Sequence, residues 1–139
     1  MQKKIEAKKL NRILDANFNR AKEGLRVCED VCRFVFSHKI ATQKYKNVRH
    51  KLTDIIFSLK IADMITSRDS REDVGRFASD VEYNRKSIED VFYANSQRVK
   101  ESLRVLEELT KLIDRKIATR LKRLRYALYE IERSTVKKF

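Results

Sequence analysis

An asparagine and an arginine three residues apart occur twice in this chain, in the same local sequence. Asn17 and Arg20 recur 78 residues later as Asn95 and Arg98, in a fifteen-residue segment that begins at Ala16 in the first copy. Nine of the fifteen positions are identical between the two copies. Arginine donates paired hydrogen bonds to phosphate and carboxylate oxygens, so the repeated pair is typical of a site for an anionic ligand.

A helical wheel at about 100° per residue predicts where these side chains point. Asn17 lies near the middle of the apolar face and Arg20 within it, whereas Glu29 faces away. Glu23 lies at the edge, and the second copy repeats this arrangement with Asn95, Arg98, Glu101 and Ser102. Buried polar groups must be paired, so these residues form either structural hydrogen-bond networks or a polar cavity for an anion. Two facing copies favour the cavity.

Other residues could complete such a site. Gly24 and Ser102 on the same face would leave room for a ligand, or would serve close helix packing. Arg49 and Arg125 lie at the edges of apolar stripes on two further helices and are either part of the cavity wall or surface arginines. A polar loop carries residues of the right types to close over a phosphate and hold Mg²⁺, or to form a solvated, salt-bridged loop; they are Arg68, Asp69 and Asp73.

Four helices are predicted to position these residues. The chain has no proline and only two glycines, and apolar residues recur every three or four positions at about 10–36, 41–65, 88–113 and 115–134. We expect Ser37, Ser87 and Asp114 to cap helices and residues 1–9 to be frayed. Residues 1–139 then form a single all-α domain, with repeat 1 at about 10–65, a loop at 66–86 and repeat 2 at about 87–134. The predicted architecture is an antiparallel four-helix bundle of two duplicated helical hairpins, with one long crossing loop.

Charge and cysteine content limit the classes of function. The net charge is +13, which indicates solvated basic faces or an anionic partner such as nucleic acid or a phosphorylated small molecule. Glutamates interleave with the outward basic residues, which argues against nucleic acid. Cys28 and Cys32 are expected to be reduced core residues, because a lone pair is poor support for zinc. With no signal peptide and no long apolar run, we expect a cytoplasmic protein without a membrane partner. The sequence leaves open whether the chain forms a homo-oligomer.

Several motifs together resemble a known family. They are Leu14-Asp15-Ala16-Asn17, Arg20-Ala21-Lys22-Glu23-Gly24-Leu25-Arg26-Val27, Arg49-His50-x-Leu52, Ser67-Arg68-Asp69, Asp73-Val74-Gly75, Ala94-Asn95 and Leu124-Arg125-Tyr126. In this order they resemble the alternative, monofunctional hydroxymethylpyrimidine phosphate kinases of thiamin biosynthesis, a helical module that is similar to the N-terminal extension of some thiamin phosphate synthases. The resemblance implies transfer of the γ-phosphoryl group of ATP to hydroxymethylpyrimidine phosphate, with ATP and Mg²⁺ as cofactors.

Phosphoryl transfer requires mainly positioning and charge neutralisation, which suits arginine, asparagine and carboxylates. We therefore expect Arg20, Arg98 and Asp69 to be catalytic. The candidates for binding phosphate groups are Asn17, Asn95, Arg49, Arg68 and Arg125, and those for metal are Glu23, Glu101 and Asp73. Two alternatives lack catalysis: a basic nucleic-acid-binding module, and a regulatory or structural helical partner with no pocket at the repeated face.

Overall fold

The structure, a computed structural model, describes residues 2–139; Met1 and the side chains of residues 2–5 and 81 lie outside the described part. All regular elements in residues 2–139 are helical, which confirms the all-α prediction. The α-helices are α1 (Gln2–Asp30), α2 (Lys39–Phe57), α3 (Ile61–Thr66), α4 (Ile88–Thr110) and α5 (Arg115–Val136). A π-helical turn, Val31–Val35, continues α1, and a 3₁₀ turn, Asp80–Tyr83, lies between α3 and α4.

The helix ends differ from the sequence prediction in three places. Residues 2–9 are helical, so the frayed start is wrong for them, while residue 1 lies outside the described residues. The second predicted helix breaks at residues 58–60, where Lys60 has the non-helical ψ of 88° and α3 then begins. His38, and not Ser37, caps α2, because its Nδ1 accepts a hydrogen bond from the Ala41 N–H at 3.0 Å. Ser37 instead has φ 49°, a left-handed conformation that reverses the chain between the helices.

The other two predicted caps are confirmed. The Ser87 hydroxyl accepts from the Asp90 N–H at 3.1 Å, and the Asp114 carboxylate accepts from the Lys116 N–H at 2.8 Å. Each satisfies a backbone donor that the first turn of a helix leaves without a partner. These caps fix the starts of α4 and α5 within a residue of their predicted positions.

The four long helices form a closed arrangement in which each packs against two others. Helix α1 packs on α2 and α4, and α5 packs on the same two helices. Gly24 of α1 lies against Val99 of α4, and further along α1 the Cys28 Sγ lies 3.8 Å from the Phe92 carbonyl oxygen. Rising numbers on one helix thus meet falling numbers on the other, so α1 and α4 are antiparallel. No helix in residues 2–139 has the length and apolar character needed to cross a membrane.

The duplication is visible as a matched pair of ion pairs. In the first hairpin Arg49 Nε lies 2.8 Å from Glu29 Oε2, and in the second Arg125 Nε lies 2.8 Å from Glu107 Oε2. Both glutamates are 3 % exposed. The expectation that Glu29 faces away is therefore wrong. Because α1 packs on α2 as well as α4, its buried arc is wider than the stripe centred on Asn17.

Candidate functional site

A cavity of about 630 Å³ lies between the first half of α1 and the loop that follows α3. Its wall is made mostly of charged and amide side chains. The lining residues are Lys9, Arg12, Ile13, Asp15, Ala16, Asn17, Asn19, Arg20, Arg68, Asp69, Ser70 and Asp73. The cavity therefore combines four cationic side chains with three carboxylates.

One ion pair fastens the loop to α1. The Arg68 guanidinium donates from Nε to Asp15 Oδ2 at 2.7 Å and from Nη2 to Asp15 Oδ1 at 2.8 Å. Asp15 is 5 % exposed, and it also accepts a hydrogen bond from Asn19 Nδ2 at 3.3 Å. The hydrogen bond to Asp15 and the charge of that carboxylate raise the pKa of Arg68. This two-point contact is the geometry in which arginine and carboxylate bind each other most strongly.

The loop carboxylates also shape the loop itself. Asp69 Oδ1 accepts from the Glu72 N–H at 3.3 Å, and Asp73 Oδ1 accepts from the Gly75 N–H at 2.9 Å. Such side-chain bonds to nearby backbone stabilise turns. A further contact, from Arg12 Nη2 to the Asp69 carbonyl oxygen at 3.4 Å, again joins the loop to α1. The loop thus holds its shape over the cavity although its residues are exposed.

Five of the residues predicted for the site come together in this cavity: Asn17, Arg20, Arg68, Asp69 and Asp73. They come from two stretches of chain about fifty residues apart. Arg20 is exposed at the cavity wall and is not buried in the apolar face as the wheel predicts.

The repeated asparagines have a structural role that the sequence analysis held open. Asn17 Nδ2 donates to the Ile13 carbonyl oxygen at 2.9 Å, and Asn95 Nδ2 donates to the Val91 carbonyl oxygen at 2.8 Å. Each amide therefore bonds to its own helix one turn back. This pairing explains how an amide is tolerated beside the apolar face, and it explains it equally in both copies.

The expected convergence of both copies on one polar axis is wrong. Gly24 lies so close to α4 that an added Cβ would be 2.6 Å from Val99 Cγ2 and 3.1 Å from the Asn95 carbonyl oxygen. The glycine therefore serves close helix packing and leaves no space for a ligand. Arg98 is exposed on α4 and does not line the cavity.

The arginines of the second helices also lie elsewhere. Arg49 and Arg125 are held by their buried glutamate partners and do not line the cavity. Glu29, which binds Arg49, is fourteen residues beyond Asp15 on helix α1, or about 21 Å along the axis. These two arginines are structural ion-pair partners, neither cavity wall nor free surface residues.

The predicted metal ligands are not brought together. Asp73 lines the cavity, Glu23 is exposed outside it, and Glu101 lies on α4 in a separate groove of about 340 Å³ beside Tyr129. Among the described side chains, no group of three or more His, Cys, Asp or Glu is placed to hold a metal ion. The reason is geometric, because Glu23 and Glu101 belong to different helices and the loop approaches only the first half of α1.

Five polar residues of the cavity were not among the residues predicted for the site: Lys9, Arg12, Asp15, Asn19 and Ser70. A signal for three of them was present in the repeat. At the 78-residue spacing, the counterparts of Lys9, Arg12 and Asp15 are Ser87, Asp90 and Tyr93. On the helices, the site was predicted from positions that are identical in both copies, whereas these three residues lie at positions where the copies differ.

The second copy has an aromatic cluster near the place that corresponds to this cavity. The Tyr93 ring lies 5.9 Å from the Phe92 ring and 6.0 Å from the Phe139 ring. Tyr93 is the counterpart of Asp15, the carboxylate that holds the loop in the first copy. The carboxylate that attaches the loop thus belongs to the first copy, and an aromatic ring takes its position in the second.

Comparison with known proteins agrees with the motifs. The model of the ThiD2 family matches residues 12–134. The thiamine-phosphate synthases of Nostoc punctiforme and Synechocystis sp. are each 39 % identical over 122 residues, which cover 87 % of this chain and 34 % of the relative. The thiamine-phosphate synthase of Rhodopirellula baltica is 36 % identical over 125 residues, 89 % of this chain and 33 % of the relative. The chain spans about a third of the length of these relatives. No solved structure matches it. With the family model covering most of its length, the chain belongs to the ThiD2 family.

Proposed function

We propose that this chain is a phosphotransferase of thiamin biosynthesis, which transfers the γ-phosphoryl group of ATP to hydroxymethylpyrimidine phosphate and yields the diphosphate. Membership of the ThiD2 family and kinship with thiamine-phosphate synthases support the pathway. The observation that carries the proposal is the cavity between α1 and the loop. Three of its cations, Lys9, Arg12 and Arg20, make no ion pair among the described residues, which suits two phosphorylated substrates held side by side.

The chemistry asks little of the protein beyond binding and orientation. The attacking group is a phosphate oxygen that is already ionised, so the reaction needs no strong general base. The cavity volume of about 630 Å³ lies in the range of small-molecule sites. Arg20 neutralises charge on the transferred group from the α1 wall, and the loop carries Asp69 and Asp73 on the opposite side.

Magnesium fits this donor set without a dedicated cage. Mg²⁺ in phosphoryl-transfer sites is usually held by one or two carboxylates together with substrate phosphates. Asp69 and Asp73 line the cavity, and each uses Oδ1 for a turn hydrogen bond. Their other oxygens would be the protein's ligands to a metal that arrives with ATP, where it would offset the charge of the phosphates.

The decisive experiment measures ATP consumption with hydroxymethylpyrimidine phosphate and, separately, with the unphosphorylated alcohol. We expect turnover with the phosphate and little with the alcohol, because a cationic cavity gains binding energy from the phosphate. No turnover with either acceptor would refute the proposal.

A pair of arginine variants tests the site. A hydrogen bond to a charged group contributes about 1.5–3 kcal/mol, so Arg20→Ala should lower kcat/KM about 10- to 150-fold. Arg120→Ala is the matched control, because it removes one exposed arginine from α5, outside the cavity. Equal activity of folded Arg20→Ala and Arg120→Ala proteins would exclude Arg20 from the reaction.

A further inference from the structure

The four cations of the cavity are of two kinds. Arg68 is paired with Asp15 through two short hydrogen bonds, from Nε and from Nη2. Lys9, Arg12 and Arg20 make no ion pair with a carboxylate in the described part of the chain. We propose that Lys9 and Arg12 bind the phosphate groups of the substrates together with Arg20, and that Arg68 is a positioning residue which neutralises Asp15. The nature of the anion rests on the proposed function; the division of roles rests on the contacts.

The burial of Asp15 is the first reason for this division. The carboxylate is 5 % exposed, and a buried charge is tolerated only with a close, hydrogen-bonded partner. A phosphate that took the Nε and Nη2 donors of Arg68 would leave Asp15 with only the Asn19 amide at 3.3 Å. Two-point phosphate binding through these donors would therefore break the ion pair with Asp15.

Lys9 and Arg12 carry no such cost. They lie one turn apart on α1 and on the same wall as Arg20. Among the described side chains and backbone, Arg12 donates one hydrogen bond, of 3.4 Å, to the Asp69 carbonyl oxygen, and most of its donors remain available for an anion. Phosphate binding at these residues requires no ion pair to break.

The spacing along α1 indicates two phosphate positions. Lys9 and Arg12 are about 4.5 Å apart along the helix axis, whereas Arg12 and Arg20 are about 12 Å apart. Lys9 and Arg12 therefore lie at one end of the cavity wall, and Arg20 lies at the other. This arrangement suits two phosphorylated substrates, one bound at each end.

The repeat supports the same division. Arg20 has an identical counterpart, Arg98, but Lys9 and Arg12 are replaced at the 78-residue spacing by Ser87 and Asp90. Where the second copy loses these cations, it also has Tyr93 in place of Asp15. The cations and the carboxylate that fixes the loop are thus present together in one copy and absent together from the other.

The test measures the binding of inorganic diphosphate to the whole chain by isothermal titration calorimetry, without nucleotide or acceptor. We expect Lys9→Ala and Arg12→Ala each to weaken the affinity about fivefold or more, and Arg120→Ala to change it less than twofold. Far-UV circular dichroism and Tm confirm that each variant is folded. Wild-type protein that does not bind diphosphate, or Lys9→Ala and Arg12→Ala variants that bind as well as Arg120→Ala, overturns the proposal.

Arg68 is tested by charge compensation. Arg68→Gln should weaken diphosphate binding, because it leaves the Asp15 carboxylate uncompensated at the cavity wall. The double variant Asp15→Asn/Arg68→Gln removes both charges and keeps an amide pair, so its affinity should return to within twofold of wild type. If the double variant binds as weakly as Arg68→Gln alone, Arg68 contacts the anion directly and its positioning role is refuted.

The outcome is separable from that of the kinase assay. Variants that behave as expected toward diphosphate, in a chain that does not phosphorylate hydroxymethylpyrimidine phosphate, would refute the proposed function and leave the anion site in place. Kinase activity in the wild-type protein, together with unchanged diphosphate affinity in Lys9→Ala and Arg12→Ala, would refute the anion site and support the proposed function.

Discussion

The contact at Gly24 gives the sharpest prediction about the scaffold. An alanine Cβ at this position would lie 2.6 Å from Val99 Cγ2, whereas carbon atoms in contact are normally about 3.5–4.0 Å apart. The same Cβ would lie 3.1 Å from the Asn95 carbonyl oxygen, which can move only with the backbone of α4. Val99 is fully buried and β-branched, so it has little freedom to rotate away. The two helices must separate to admit the methyl group.

Two opposing effects determine how much Gly24→Ala changes the free energy of unfolding. Alanine in place of glycine favours the helix by about 1 kcal/mol. Overpacking a tight interface costs about 1–3 kcal/mol, and this contact is short enough to belong at the upper end. We expect a net loss of about 1–2 kcal/mol in the free energy of unfolding. Urea denaturation followed by circular dichroism measures it, and Ser102→Ala at the repeat-related position is the control, with a smaller expected change.

A double-mutant cycle tests whether the contact with Val99 causes the loss of stability in Gly24→Ala. Val99→Ala removes the methyl group that the new Cβ meets, so Gly24→Ala should be neutral or stabilising in the Val99→Ala background. The two substitutions should be coupled by about 1–2 kcal/mol. If Gly24→Ala stabilises the wild-type background by about 1 kcal/mol, as at an exposed helix position, the close approach of α1 and α4 is wrong.

Three further predictions concern the paired copies and the core. Glu107→Leu should lower the free energy of unfolding by about 3–5 kcal/mol, because it leaves Arg125 without its carboxylate partner. Glu29→Leu should cost somewhat less, because Arg49 is more exposed than Arg125. Urea titrations that give under about 1 kcal/mol for both variants would contradict this. Burial raises the pKa of Cys32 to about 11 and that of Cys28 further. Both thiols should therefore resist iodoacetamide at about pH 8.5 in native protein and react in guanidinium, and rapid native labelling would refute their burial. Arg98→Ala should keep ATP turnover within about twofold of wild type, since Arg98 lies outside the cavity; a loss like that of Arg20→Ala would show that the second copy takes part.

The helices were predictable because their signals are local. The spacing of apolar residues and the Ser87 and Asp114 caps depend on residues within one or two turns of each other. The break at residues 58–60 was not predictable in this way, because it contains neither glycine nor proline and the apolar period continues through it. Main-chain bonds from Ser58 and Leu59 to carbonyl groups three residues back tighten the end of α2 there.

The cavity was predictable only in part because it depends on contacts between distant parts of the chain. Residue types in the loop indicated an anion site, and Arg68, Asp69 and Asp73 do line the cavity. Nothing local to Asp15 shows that Arg68, 53 residues later, binds it. In the same way, the burial of Glu29 depends on its ion pair with Arg49 of α2. A helical wheel of α1 alone carries no information about that contact.

Residues that are identical in the two copies serve mainly the fold, whereas several residues of the cavity differ between the copies. Two kinds of position that are identical in both copies have matching structural roles: the asparagines bond to their own helices, and each buried glutamate binds an arginine of the other helix in its hairpin. The proposed site would hold two different phosphorylated ligands, whereas a two-fold arrangement presents the same groups on both sides. We therefore expect the site where the copies differ, and Lys9, Arg12 and Asp15 are such positions. Arg20 has the identical counterpart Arg98, but Arg20 lies beside these residues and the loop, and Arg98 does not.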